Sequence, residues 1–209
     1  MFDTSRRKLL GAVGLGALAS LAGCGGDSDG DQTPGARASQ STPEPASEPD
    51  VESVAADPAD VPDPIDRDHS ETVDVTLTVE EVTAEVEPGV TFDYMTFDGQ
   101  VPGPMLRVRQ GDTVEFTLEN APENGMLHNV DFHAVYGTGG GSVATTAAPG
   151  EENAMRFQAR YPGAFIYHCA VPNMDYHIST GMFEMILVEP PEGLPEVDQE
   201  LYLGQHELY

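Results

Sequence analysis

The sequence predicts an all-β sandwich preceded by a polar, disordered N-terminal segment, on three observations. From Glu71 onward apolar and polar residues alternate, as in Val73, Val75, Leu77 and Val79, the period of a half-buried strand. Short runs of the same kind recur at regular spacing, separated by Gly, Pro and Asn turns, which is the pattern of a sandwich or barrel. No convincing amphipathic helix appears after the first 24 residues.

The strand-like runs after the first are Val90 to Thr96, Met105 to Val108, Thr113 to Leu118, Leu127 to Val135, Ala154 to Ala159, Ala164 to Cys169 and Met182 to Val188. Around the second of these, Phe97-Asp98-Gly99-Gln100-Val101-Pro102-Gly103-Pro104 and Gln110-Gly111-Asp112 place a turn on each side.

Residues 1–24 read as a targeting segment. Ser5-Arg6-Arg7-Lys8-Leu9-Leu10 is a twin-arginine signal, followed by an apolar run too short to span a bilayer as a mature helix. The run ends in Leu21-Ala22-Gly23-Cys24, which resembles a lipoprotein lipobox, so Cys24 is the expected lipidated N-terminus. The expected location is therefore the outer face of the cytoplasmic membrane, reached by the twin-arginine route and held by a lipid anchor only. Residues 25–68 are rich in Gly, Asp, Ser, Pro, Glu and Ala without periodicity, and are expected to be a disordered tether. The folded domain is expected over 69–190.

The formal charge is -27, and Lys8 is the only lysine, which excludes nucleic acid as a partner class. An acidic, lysine-poor surface fits a domain adapted to high salt, where counterions screen its self-repulsion. With Cys24 assigned to the lipobox, Cys169 is left as a single thiol in an exported chain, and a metal is the simplest occupant for it.

Four histidines fall in two compact clusters, His128 with His133, and His168 and His177 around Cys169. Isolated His69 and His206 read as surface or structural residues. A blue copper site needs two imidazoles, a thiolate and a weak axial thioether. Cys169, His177 and Met182 supply three of these at Cys-x7-His-x4-Met spacing, and His128 reaches in from another strand as the fourth. Successive strand residues face opposite ways, so His128 and His133, five apart, diverge, as do His168 and Cys169. Two sites back to back follow: an inner type 1 copper set, and an outer set of His133 and His168 with Asp131 beside them.

His128-Asn129-Val130-Asp131-Phe132-His133-Ala134 and Tyr167-His168-Cys169-Ala170, with the Gly137 to Gly141 run and Pro149-Gly150-Glu151, resemble the copper-containing, NO-forming nitrite reductases. The resemblance covers roughly Glu71 to Tyr209 and implies a cupredoxin-like Greek-key β-sandwich. It further implies that His128, Cys169, His177 and Met182 hold type 1 copper, that His133 and His168 are ligands of type 2 copper where nitrite binds, and that Asp131 delivers protons. The implied partners are nitrite, an electron donor such as a small blue copper protein or cytochrome, and two further copies in a homotrimer.

Two departures stand out. The loop Ala170-Val171-Pro172-Asn173-Met174-Asp175-Tyr176 is one residue shorter than in the best-known members and lacks their Trp. Residues 191–209 look like the linker and first strand of a second cupredoxin domain whose histidines would complete the outer set. Two alternatives remain. A membrane-tethered blue copper electron carrier needs only the inner set, and a multicopper oxidase is disfavoured because paired His-x-His elements are absent.

Overall fold

The structure is a computed structural model, and it describes residues 49–51 and 53–208. The export and lipidation motifs within residues 1–24, and residues 25–48 of the expected tether, lie outside the described residues.

Among the described residues, eight strands form two four-stranded sheets: β1 (Thr72–Glu87), β2 (Val90–Phe97), β3 (Leu106–Arg109), β4 (Thr113–Asn120), β5 (Asp131–Phe132), β6 (Glu152–Gln158), β7 (Gly163–His168) and β8 (Phe183–Glu189). One sheet runs β2-β1-β4-β6 and the other β3-β8-β7-β5, in a cupredoxin-like sandwich. Strand β1 serves two partners: Thr72 to Val79 pairs in parallel with β4, and Val79 onward pairs antiparallel with β2.

Alternation decides which faces meet. In β4, Val114, Phe116 and Leu118 are buried between Thr113, Glu115, Thr117 and Glu119. Phe132 is the centre of the packed layer, with ring centroids 4.9 Å from Phe116, 5.2 Å from Phe157 and 5.0 Å from Tyr167. Aromatic pairs at these separations contribute beyond their buried area.

The strand expected over Leu127 to Val135 shrinks to Asp131–Phe132. The preceding residues are held otherwise: His128 and Ala147 exchange backbone hydrogen bonds of 3.1 and 2.9 Å, and the Val130 amide donates to the Thr145 hydroxyl at 3.0 Å. Two short helices also appear where only loops were expected, α1 (Ser142–Thr145) and α2 (Met174–Ser179). Each spans one to two turns, too short to leave an amphipathic pattern.

The expectation of a tether running unstructured to residue 68 is corrected. Val54 is buried against Ala84, Tyr94 and Val101, with the Val101 amide donating to the Val54 carbonyl at 2.7 Å. Arg67 donates to Asp112, which is fully buried and also accepts from the amides of Glu71 (3.0 Å) and Arg109 (2.7 Å). A few apolar residues and one arginine are enough to seat the segment, and averaged composition conceals them.

Residues 191–209 were expected to hold the first strand of a further domain; the described part of that stretch, 191–208, contains no strand. They lie back on the sandwich instead. The Tyr202 amide donates to the Pro58 carbonyl at 2.9 Å, and Glu200 joins Glu189 in pairing with the buried Arg107. His206 lies against Phe183, with centroids 4.9 Å apart, and belongs to neither histidine cluster.

One glycine is required at the join between the sheets and α2. Gly181 has φ +128, and a Cβ there would lie 2.6 Å from Val101 Cγ2 and 2.8 Å from the Met95 carbonyl oxygen.

Glu184 sits on the inward face of β8, and both its carboxyl oxygens are buried without a hydrogen-bond partner. Burial first, then the field of Asp98, pushes its pKa well above the ordinary carboxyl value. Glu184→Met, similar in length and apolar, is therefore expected to raise the unfolding free energy by about 1–3 kcal/mol at mildly alkaline pH. A raised folded pKa gives a penalty absent below the unfolded value of 4.5 and growing as pH rises through it. Urea unfolding of both proteins at about pH 4 and about pH 8 checks this, and a stability gap that does not widen at the higher pH contradicts it.

Candidate metal centres

The inner set is assembled from three segments. His128 comes from the loop before β5, Cys169 follows β7, and His177 lies on α2. His128 Nδ1 lies 3.3 Å from His177 Nδ1, and Cys169 Sγ lies 3.9 Å from the first and 3.6 Å from the second. Donors bonded to one ion at about 2.0–2.3 Å sit roughly 3.3–3.5 Å apart at tetrahedral angles, so the three atoms converge at metal-binding spacing. All three residues are buried. Met182 is fully buried at the entrance to β8, its amide donating to the His177 carbonyl at 3.1 Å and its carbonyl accepting from the Cys169 amide at 3.3 Å.

Electrostatics favour a metal here. Burial pushes the His128 imidazole below its ordinary pKa despite Glu81, and His177 is lowered by burial and then by His128. Both are neutral ligands at neutral pH. Burial pushes the Cys169 thiol up, so a bound cation is what would favour the thiolate. Imidazole and thiolate donors in this arrangement fit a type 1 copper.

Two supporting residues escape the sequence reading. Glu81 Oε1 accepts from His128 Nε2 at 2.9 Å, which fixes the proton on Nε2 and leaves Nδ1 to face Cys169 and His177. Burial would raise the Glu81 carboxyl, but hydrogen bonds from His128 and the amides of Gly125 and Met126 hold it below the ordinary value. Its signal was parity: it shares the inward face of β1 with Leu77 and Val79, where a carboxylate is out of place. Asn129 is the second. Its Oδ1 accepts from the Ala170 amide at 2.7 Å and lies 3.8 Å from Cys169 Sγ, tying the cysteine loop to the His128 loop.

The outer set forms on the other side of β5 and β7. Asp131 pairs directly with His168 in the ladder, and the His133 amide donates to the Ile166 carbonyl at 3.0 Å. His133 Nε2 and His168 Nε2 lie 3.2 Å apart, and an Asp131 carboxylate oxygen completes a cluster within 4.8 Å. His168 Nδ1 donates to the Cys169 carbonyl at 2.9 Å, so its Nε2 carries the lone pair aimed at His133. His133 is exposed, His168 is buried and Asp131 is intermediate. Behind Asp131 stands Gly140, with φ +44, where a Cβ would lie 2.0 Å from Asp131 Oδ1. The structure thus brings together three of the four donors expected in the inner set and the three groups expected in the outer one, although His128 lies outside any strand.

A family model described as multicopper oxidase matches residues 78–193, more than half of the chain. The chain belongs to the multicopper oxidase family. Within this family it is 45% identical to the copper-containing nitrite reductase of Neisseria gonorrhoeae, over 98% of this chain and 55% of that protein. The copper-containing nitrite reductase of Neisseria meningitidis serogroup B is 49% identical over 77% of this chain and 41% of its own length. Among solved structures, the copper nitrite reductase of Nitrosomonas europaea superposes with a TM-score of 0.53 at 42% identity, covering 57% of this chain and 42% of that one. The chain spans about half the length of these relatives. Membership of the multicopper oxidase family and the inner donor set agree on copper as the cofactor.

Substitutions separate the two sets. Cys169→Ser is expected to abolish the intense visible band of the copper-loaded chain, while His133→Ala leaves it in place. Asn129→Ala, which removes the acceptor of the Ala170 amide, is expected to weaken inner-site copper affinity about tenfold or more, measured by chelator competition. Unchanged affinity would show that the loop holds Cys169 without it.

Proposed function

We propose that this chain forms the first domain of a copper nitrite reductase, which reduces nitrite to nitric oxide and water with one electron and two protons. The observation that carries the reading is the covalent adjacency of the two sets: Cys169 belongs to the inner set, and the residue before it, His168, faces His133 at 3.2 Å in the outer one. Bound copper would supply one-electron redox chemistry at the inner set and a Lewis-acid seat for nitrite at the outer.

In this reading His128, Cys169, His177 and Met182 hold the type 1 copper, and His133 and His168 are ligands of the type 2 copper. The backbone between Cys169 and His168, reinforced by the bond from His168 Nδ1 to the Cys169 carbonyl, links the two sets. Asp131 presents a carboxyl to the same cluster as both histidines, where it would hydrogen-bond nitrite and hand it a proton. A side chain at Gly140 would displace that carboxyl.

Two imidazoles are fewer than a catalytic copper needs, so the outer set would be completed by a histidine of a second cupredoxin domain, reaching in from a neighbouring copy in a homotrimer. Exposed Ile166, two residues before His168 on the same face of β7, supports a covered surface in the assembly. The electron donor would be a small blue copper protein or cytochrome. The Arg6-Arg7 motif and Cys24 support export and lipid anchoring outside the cytoplasmic membrane, and the acidic composition supports a saline habitat.

A second reading, a blue copper electron carrier, is favoured by one observation: two imidazoles and a thiol converge in the inner set, whereas the outer set, among the described residues, holds two imidazoles and a carboxylate. Copper counting with a nitrite-dependent NO assay decides between them. Two coppers per chain with turnover supports the reductase, and one copper without NO leaves only electron transfer. In a chain that turns over, Asp131→Asn is expected to lower NO formation by about 10²–10⁴-fold with the visible band unchanged. Activity within about twofold of the parent would remove Asp131 from the proton path.

A further inference from the structure

We propose that Glu81 is the positioning and tuning residue of the inner copper set, lowering the reduction potential of copper held by His128, Cys169 and His177. The inference rests on copper at the inner set and is independent of nitrite reduction.

The geometry is that of a built support. Glu81 Oε1 accepts from His128 Nε2 at 2.9 Å and from the Met126 amide at 3.0 Å, and Oε2 accepts from the Gly125 amide at 3.0 Å. One carboxylate therefore fixes both the ring of His128 and the loop that leads into it. The loop is tied to the same stretch of β1 a second time: the Glu81 amide donates to Asn124 Oδ1 at 2.9 Å, and Asn124 Nδ2 donates to the Val79 carbonyl at 2.8 Å. His128 itself is fully buried, while the Glu81 side chain is 25% exposed.

Two consequences follow from the chemistry. A carboxylate accepting the Nε2 proton makes the imidazole a stronger donor through Nδ1, and its negative charge lies one ring away from the metal position. Both effects favour cupric over cuprous copper, because the oxidised ion carries one more positive charge. Partial exposure screens the charge, so an effect on the order of tenfold in the redox equilibrium is expected, about 59 mV for a one-electron couple.

The test uses the copper-loaded 209-residue chain and redox titration of its visible band. Glu81→Gln can keep an oxygen facing His128 and Met126 while losing the charge. It is expected to shift the equilibrium toward reduced copper about tenfold, with the band position retained. Glu80→Gln is the control, removing one charge from the adjacent residue on the opposite face of β1. It is expected to move the equilibrium by less than about twofold. Glu81→Ala, which also frees the ring, is expected to alter the band and the copper paramagnetic resonance spectrum as well. A Glu81→Gln shift no larger than that of Glu80→Gln, or one toward oxidised copper, overturns the proposal. Should Glu81→Ala fail to fold, the comparison of the two glutamine variants decides. A parent chain without a visible band overturns the copper reading, and this proposal with it.

Discussion

Residues 168 and 169 are neighbours at the end of β7, and a pleated strand must send neighbouring side chains to opposite faces. Phe132, between Asp131 and His133, obeys the same rule one strand away, and its ring fills the centre of the core. The two pairs of residues face each other in register, Asp131 opposite His168 and Phe132 opposite Tyr167. What is buried and what reaches the outer surface are thus fixed together. Slipping this pairing by one residue would exchange the two faces and dismantle the core and both donor sets at once.

Much of this was legible in the sequence because it depends on short-range pattern. Alternation in Val114 to Leu118 located β4, and the spacing from Cys169 to His177 to Met182 identified one closely packed loop. His128 and His133 fall in separate clusters, as parity predicts, although the strand that parity assumes is mostly absent. Only Asp131 and Phe132 are strand, and His128 is oriented by its bridge to Ala147 and by Glu81. Helix α2 left no trace in the sequence because its six residues make fewer than two turns.

The features that were not legible are long-range. Glu81 lies 47 positions from His128, and Asn129 lies 41 from Ala170, separations at which a single sequence carries no pairing signal. The same holds for Arg67 with Asp112 and for Arg107 with Glu189 and Glu200. Composition described residues 25–68 as one polar stretch, yet Val54 and Arg67 each meet a partner that only the folded sheets present. Buried ion pairs of this kind are costly to break singly, because the remaining partner stays desolvated.

The folding unit begins before the alternating pattern does, because Val54 and Arg67 are seated on the sheets. A recombinant version trimmed to start at His69, the boundary suggested by composition, would lose Val54 from the patch formed by Ala84, Tyr94 and Val101. It would also leave the buried Asp112 without its arginine, and would take away the Pro62 carbonyl that Arg107 donates to at 2.8 Å. An apolar patch would be opened in the same cut that strands a buried carboxylate, and both favour self-association over solubility. The segment that looks dispensable on paper is therefore the one an expression design should retain.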